Sequence, residues 1–142
     1  MERRIYQDVY GEPLDESDFN KHHIFARCTA KGKGKKAHDF INQRGLVLPM
    51  VVGVHKELHA NVDFPPLPSI TLIHRMSEIT GYMRESNPYE RFIQIADHFD
   101  SLARNCPNTD HRRQCERIAD NLAQQAPFVL LGQVQIIQQE AA

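Results

Sequence analysis

The chain has 142 residues, of which 41% are hydrophobic and 25% charged, and this composition predicts a single globular domain. No apolar stretch approaches the ~20 residues that span a bilayer. The N-terminus is charged and lacks the apolar core of a signal peptide, so we expect a cytoplasmic protein with no membrane partner. The three cysteines have no CxxC spacing, which argues against a disulfide framework and against a cysteine zinc knuckle.

The net charge of −1 conceals a strongly basic segment between residues 21 and 44. Seven cations stand there against a single acid, Asp39, so the segment carries +6 and the remainder of the chain is acidic. Such a patch predicts a polyanionic partner. The alternative for the run of lysines and glycines over 31–36 is a solvated hairpin tip. The seven cations are Lys21, Arg27, Lys31, Lys33, Lys35, Lys36 and Arg44.

The first half of the chain predicts two strands followed by a helix. Residues 1–20 are polar and predict an arm or irregular lead-in. Residues 23–28 are a short strand candidate, followed by a flexible basic loop over 29–36. A second strand is expected over 45–50 and ends near its proline, because proline cannot donate to a sheet. A short helix is expected over 51–61, and the prolines after it mark a boundary between two halves.

The second half predicts helices. Ser69 can cap a first helix that stops near Gly81. Asn87 precedes a proline and an acid in the order that favours a second helix. Asp110 can cap a third helix that runs to about Gln125. The final stretch, residues 128–139, fits either a helix or a strand.

These patterns predict an α+β fold in which a ββα module precedes a helical C-terminal half. The expected division is an arm over residues 1–20, the module over 21–66 and a helical extension over 67–142. We expect the extension to pack on the module as one domain. The apolar stripes of its helices can instead serve self-association or a protein partner.

Two histidine pairs carry the chemical signal. His55 and His59 are spaced i,i+4, which places both imidazoles on one face of a helix, close enough to share a metal ion. His22 and His23 are adjacent, and neighbouring side chains on a strand point to opposite faces. One of them can therefore join the metal while the other acts as a base. Three ligands and an open position are typical of a catalytic metal site.

Residues 22–61 resemble the HNH endonucleases with a ββα-metal fold, and among them the colicin-type nucleases. In these enzymes a histidine pair on the first strand and an HxxxH helix surround one divalent metal. The resemblance covers 40 of the 142 residues and does not extend to the helical half. It rests on His22-His23-Ile24, Asn42, Leu46-Val47-Leu48-Pro49 and His55-x-x-x-His59.

The resemblance implies a role for each matching residue. His22, His55 and His59 would bind one divalent ion, which is Zn, Mg, Mn or Ni. His23 would be the general base that activates water, and Asn42 would brace the loop so that His23 is correctly oriented.

The expected function is hydrolysis of phosphodiester bonds in nucleic acid, DNA in preference to RNA. Cations of the basic segment would hold the phosphate backbone without reading sequence. A non-catalytic protein with the same fold and a structural metal, binding nucleic acid or a protein, is the alternative. In a third reading the helical half dominates as an association module. The expected nucleic-acid contacts are Arg27, Lys31, Lys33, Lys35, Lys36 and Arg44.

Overall fold

Two small antiparallel sheets and a long helical half make up the part of the chain that the structure describes. The computed structural model describes residues 3–139, so the first two residues of the expected arm and the last three of the expected extension lie outside it. The α+β class with a helical second half is confirmed. The strands are β1 (Arg3–Gln7), β2 (Pro13–Leu14), β3 (Phe19–His23), β4 (Val47–Val51) and β5 (Gln135–Gln139). The helices are α1 (Lys35–Ile41), α2 (Val52–Asn61), α3 (Ser69–His74), α4 (Met76–Ile79), α5 (Pro88–Asn105) and α6 (Thr109–Leu131).

Strands β3 and β4 form an antiparallel pair that fixes the two adjacent histidines. His22 lies opposite Leu48, and His23 lies opposite Val47. Helix α2 starts directly after β4, so the ββα order is present around the histidines. Pro49 lies inside β4 rather than after it, which a two-stranded sheet tolerates because one side of each strand needs no partner.

The first strand of this pair lies earlier than the sequence pattern indicates. Strand β3 ends at His23, and the predicted strand over 23–28 is wrong because the chain leaves the sheet there. Ile24 and Phe25 turn into the core, where both are 0% exposed. The mostly polar residues of β3 form a strand because β4 supplies a regular ladder, and strand propensity depends on such context.

The segment between β3 and β4 is more ordered than a flexible basic loop. A 3-10 turn covers Arg27–Ala30, and helix α1 begins at Lys35. Gly32 and Gly34 have φ values of 74° and 92°, which L-residues rarely adopt, so glycine is needed at both turns. The four lysines of the segment are exposed, as expected for a charge run.

The two long helices of the helical half, α5 and α6, begin at asparagine caps. Asn87 Oδ1 accepts from the Glu90 backbone N–H, which confirms the predicted cap of α5. The predicted cap at Asp110 is wrong, because Asn108 Oδ1 accepts from the His111 N–H and α6 starts at Thr109.

Other boundaries of the helical half also differ from the sequence pattern. Helix α6 continues through Pro127 to Leu131, beyond the predicted end near Gln125. The predicted cap at Ser69 is wrong, because Ser69 is the first residue of α3 and Pro68 occupies the cap position. The predicted helix divides at Arg75 into α3 and α4, followed by a 3-10 turn. The ambiguous stretch 128–139 contains the end of α6 and then β5.

One hydrophobic core joins the hairpin segment to the helices. Phe25 stacks on Phe40 of α1 and meets Phe99 of α5 edge to face, each pair at 6.0 Å between ring centroids. All three rings are fully buried, and α5 packs along α6. This packing fixes α6 behind the histidine-bearing hairpin.

The N-terminal segment is a strand rather than an irregular lead-in. Strand β1 pairs with β2 on one side and β5 on the other, all antiparallel. Tyr6 lies opposite both Leu14 and Ile136. None of the helices within residues 3–139 combines the length and the apolar character needed to cross a membrane.

Candidate metal centre and adjoining cleft

His22, His55 and His59 come together as a group that can hold a metal ion. One ring nitrogen from each lies within 4.8 Å of the others. The Nε2 atoms of His55 and His59 are 3.0 Å apart. Two nitrogens bound to one zinc tetrahedrally at ~2.0–2.1 Å would be about 3.3 Å apart. The helical i,i+4 spacing therefore holds these two nitrogens close to the separation that they would have when bound to one ion.

The group runs from the interior to the surface. His22 is 1% exposed, His55 is half-buried and His59 is exposed. The ring of Phe64 packs beside this group, with its centroid 5.0 Å from that of His59 and 6.2 Å from that of His22. Water and substrate can therefore reach the group from the His59 side, whereas protein encloses the His22 side.

A buried amide network fixes the orientation of His22. Gln125 Nε2 donates to the Ile24 carbonyl oxygen at 2.9 Å and to Asn121 Oδ1 at 2.7 Å. Asn121 in turn donates to the Asp63 carbonyl oxygen at 2.9 Å. Because both donations use the amide nitrogen of Gln125, its oxygen faces His22 Nε2, 2.7 Å away, as an acceptor. His22 Nε2 therefore carries the proton, and Nδ1 keeps the lone pair that a metal requires.

Burial favours the neutral imidazole at His22 and at His55. The pKa of His22 is lowered from 6.5 to about 4, chiefly by burial and to a smaller degree by the neighbouring His55, His59 and His23, while the hydrogen bond with Gln125 acts in the opposite direction. Burial also lowers the pKa of His55, with smaller contributions from His59 and His23. Histidine must be neutral to bind a metal, so the site is prepared for a cation near neutral pH.

His23 points away from His22 and is held by a different partner. Asn42 Nδ2 donates to the His38 carbonyl oxygen at 2.8 Å, which leaves Asn42 Oδ1 facing His23 Nε2 at 2.9 Å. The proton of His23 therefore lies on Nε2, and Nδ1 is free to accept one. Asn42 is also the C-cap residue of α1, so one side chain both closes that helix and holds His23.

His23 and Asn42 open onto a cleft of about 1060 Å³ beside the hairpin. Arg27 and Arg44 line this cleft with them, so the structure brings these four predicted site residues together. The four predicted lysine contacts are exposed on the segment before α1 and are not part of the cleft lining.

The sequence patterns missed the residues that support His22. Asn121 and Gln125 are 4% and 0% exposed, and both lie on the face of α6 that also buries Ile118 and Leu122. Two amides at i,i+4 on an otherwise apolar stripe are the signal that was available, because buried polar side chains need partners. Which partners they meet depends on the packing of α6 against the hairpin, and no local pattern in the sequence shows that packing.

Comparison with family models, with curated proteins and with solved structures finds no match to this chain. The function is therefore inferred from the histidine group, the hairpin and helix that carry it, and the adjoining cleft.

Proposed function

We propose that the protein is a metal-dependent endonuclease of the HNH type that hydrolyses phosphodiester bonds in nucleic acid, DNA in preference to RNA. In this proposal His22, His55 and His59 hold one divalent ion. His23 is the general base, and Asn42 is the residue that positions it.

The observation that carries the proposal is that two adjacent imidazoles have different orientations and different hydrogen-bond partners. His22 turns inward, joins His55 and His59, and has its Nε2 atom held by Gln125. His23 turns outward into an accessible cleft and has its Nε2 atom held by Asn42. Metal binding alone requires the first arrangement and not the second. A half-buried histidine with a fixed tautomer and a free ring nitrogen suits proton abstraction.

The reaction can be written from the residues that the chain supplies. His23 Nδ1 takes a proton from water while the water oxygen forms a bond to phosphorus. The bond from phosphorus to the leaving oxygen breaks, that oxygen takes up a proton from solvent, and the His23 imidazolium returns its proton to solvent. A positioned histidine base typically contributes ~10²–10⁴-fold to such a step.

The donor set fits a borderline transition-metal ion. Three neutral imidazoles favour Zn²⁺ or Ni²⁺ over Mg²⁺ and Mn²⁺, which prefer oxygen ligands. Within residues 3–139, only these three side chains form a group that can hold a metal ion, which leaves a position open as in catalytic sites. A bound divalent ion would stabilise charge on the phosphoryl oxygens and on the leaving oxygen.

The cations around the cleft suit a phosphate backbone. Arg27 and Arg44 line the cleft with His23, and the exposed lysines at 31, 33, 35 and 36 extend the basic surface away from it. Such contacts give affinity that depends on salt and is indifferent to sequence. The site therefore combines a metal group, a base and a surface for a polyanion within the β3–β4 hairpin, its inserted segment and helix α2.

Cleavage of plasmid and of labelled oligonucleotides tests the proposal. Purified protein is assayed with Zn²⁺, Ni²⁺, Mn²⁺ or Mg²⁺, with an EDTA control, alongside His23→Ala and the matched variant His111→Ala. His111 is exposed at the start of α6, about 21 Å along the helix from Gln125 at ~1.5 Å per residue. We expect His23→Ala to lose ~10²-fold or more in rate with its metal content intact, and His111→Ala to retain activity.

A different result would favour the non-catalytic alternative. If wild-type protein binds stoichiometric metal and nucleic acid yet cleaves with none of the four ions, the fold serves binding alone. Equal loss of activity in the two histidine variants would instead remove His23 from its role as base.

A further inference from the structure

The cleft beside His23 has features that phosphate binding does not require. Its volume of about 1060 Å³ lies slightly above the ~300–1000 Å³ range of small-molecule pockets. Strand β1, which the sequence predicted to be part of an irregular arm, forms one wall, and the β3–β4 hairpin forms another. A space of this size suits a few nucleotides of one strand better than it suits an intact duplex.

The charge of the cleft favours a polyanion along its whole length. Arg4 on β1 and Lys21 on β3 line it together with Arg27 and Arg44, against one acid, Glu16. All four cations are exposed. No ion pair described among residues 3–139 involves any of them, so their charge is available to a ligand.

An aromatic pair lies in the same cleft. Tyr6 of β1 and Phe19 of β3 both line it, with ring centroids 4.9 Å apart and planes tilted by 58°. Both side chains are half-buried, so part of each remains accessible. Aromatic faces beside a basic groove are the combination that binds unpaired bases, because every base has a face that can stack. A base inside a duplex is already stacked and cannot reach such a surface without leaving the helix.

We propose that this cleft binds a single-stranded segment of nucleic acid, with an unpaired base stacked on the Tyr6–Phe19 pair and the flanking phosphates on Arg4, Lys21, Arg27 and Arg44. The inference rests on the proposed function for its substrate class and deepens it. Because His23 and Asn42 open onto the same cleft, a strand held there presents a phosphate to the proposed base. The favoured substrate is therefore single-stranded nucleic acid, or a duplex with an unpaired region.

Fluorescence anisotropy with metal-free protein in EDTA tests the inference without any cleavage. The probes are a labelled single-stranded 12-mer, the same length of abasic strand, and a hairpin duplex with the same number of phosphates. We expect the abasic strand to bind at least ~5-fold more weakly than the ordinary strand, because loss of base stacking removes that much or more for each stacked base. We also expect the duplex to bind more weakly than the single strand.

Protein variants test whether the base stacks on the Tyr6–Phe19 pair. Tyr6→Leu and Phe19→Leu should each lower the affinity for the ordinary strand until it is close to the affinity for the abasic strand. Tyr10→Leu is the matched control, since Tyr10 is 78% exposed and does not line the cleft. Melting temperatures show whether each variant is folded, and the abasic comparison needs no variant at all.

The outcomes separate this inference from the proposed function. Equal affinity for abasic and ordinary strands, or tighter binding of the duplex, would overturn the stacking site. Failure to cleave with any metal would overturn the enzymatic role and leave the binding comparison standing. Absence of binding to all three probes would overturn the inference entirely.

Discussion

Gln125 accepts a hydrogen bond from His22 across 2.7 Å, although the two residues are 103 positions apart in the chain. The contact joins the helical half to the hairpin at the candidate metal centre. It means that helix α6 supports the site, because Gln125 holds the proton on Nε2 of His22 and leaves Nδ1 as the nitrogen able to bind a metal. The helical half therefore does more than extend a small ββα unit.

The first prediction concerns this contact. Gln125→Met keeps side-chain volume but leaves the His22 N–H and the Ile24 carbonyl without their partner. We expect metal affinity to fall ~10–100-fold, as is typical when a partner of a metal-binding histidine is lost. Stability of the metal-free protein should fall by about 1–3 kcal/mol, because buried polar groups are left unpaired.

Competition against a chromophoric chelator measures the affinity, and urea denaturation measures the stability. Gln124→Met is the matched control, since Gln124 is the exposed neighbour on the same helix. Equal effects in the two variants would show that Gln125 does not position His22.

The second prediction concerns the ligands on α2. His55→Ala or His59→Ala should remove most bound divalent ion, as read by elemental analysis. Wild-type protein should gain about 2.7 kcal/mol of stability at a free metal concentration 100 times Kd, since the ion binds only the folded state. Each variant should lose this metal-dependent stabilisation, which is measured as a rise in melting temperature on adding the ion. His74→Ala, at an exposed position on α3, should keep it. Undiminished metal content in both α2 variants would exclude this site.

The third prediction concerns the pairing of His23 with Asn42. Asn42→Leu removes the oxygen that faces His23 Nε2, so cleavage should slow by roughly 10-fold or more while metal content stays the same. Asn42→Asp keeps an acceptor and should retain more activity than the leucine variant. Adding Asn42→Leu to His23→Ala should cause little further loss, because residues that act as a unit are not additive. Full additivity would assign Asn42 a purely structural role.

The fourth prediction concerns pH. The pKa of His22 is lowered from 6.5 to about 4 in the folded state, so protons bind the unfolded chain more readily. The stability associated with burying this neutral imidazole is present above pH ~6.5 and is lost as pH falls from ~6.5 to ~4. At ~1.36 kcal/mol per pH unit the loss is about 3 kcal/mol. The lowered pKa of His55 acts in the same direction.

Urea denaturation of the metal-free protein at a series of pH values measures this loss. His22→Asn, which has no imidazole to titrate, should show a flatter profile over the same range. A wild-type protein whose stability is constant between pH 6.5 and 4 would contradict the burial of a neutral His22.

The sequence predicted the local parts of this molecule better than the long-range ones. The i,i+4 pair His55 and His59, the helix that carries it and the cap at Asn87 all depend on neighbours in sequence, and the structure contains them. The start of β3, by contrast, depends on a partner strand more than 20 residues away. Likewise, nothing local marks β1 as a strand, because its partner β5 lies at the other end of the chain.

The candidate site divides in the same way. The histidines themselves are visible from their spacing, and their meeting follows once the ββα order is assumed. The acceptor of His22 and the aromatic pair Tyr6 and Phe19 arise from packing between distant segments. Such contacts are set by how the helices and strands fill one core, and this information is spread over the whole chain.

The last prediction concerns the lysines at 31, 33, 35 and 36, which are exposed and lie outside the cleft lining. Changing all four to Gln should weaken binding of long nucleic acid for every sequence alike, because lysine contacts phosphates as a point charge. The slope of log affinity against log salt should flatten by up to ~3–4 on duplex DNA if all four engage, at ~0.9 per phosphate. Short strands that fill only the cleft should bind almost unchanged.

Stability should move by less than ~0.5 kcal/mol, as for other surface substitutions away from packing. The matched variant replaces the cleft cations Arg27 and Arg44 with Gln and should weaken short and long substrates together. Salt titrations with a 12-mer and with a long duplex measure both slopes. An unchanged slope on the long duplex after the lysine substitutions would mean that the segment over residues 31–36 is only a solvated tip. The cationic surface that binds the backbone would then be confined to the cleft.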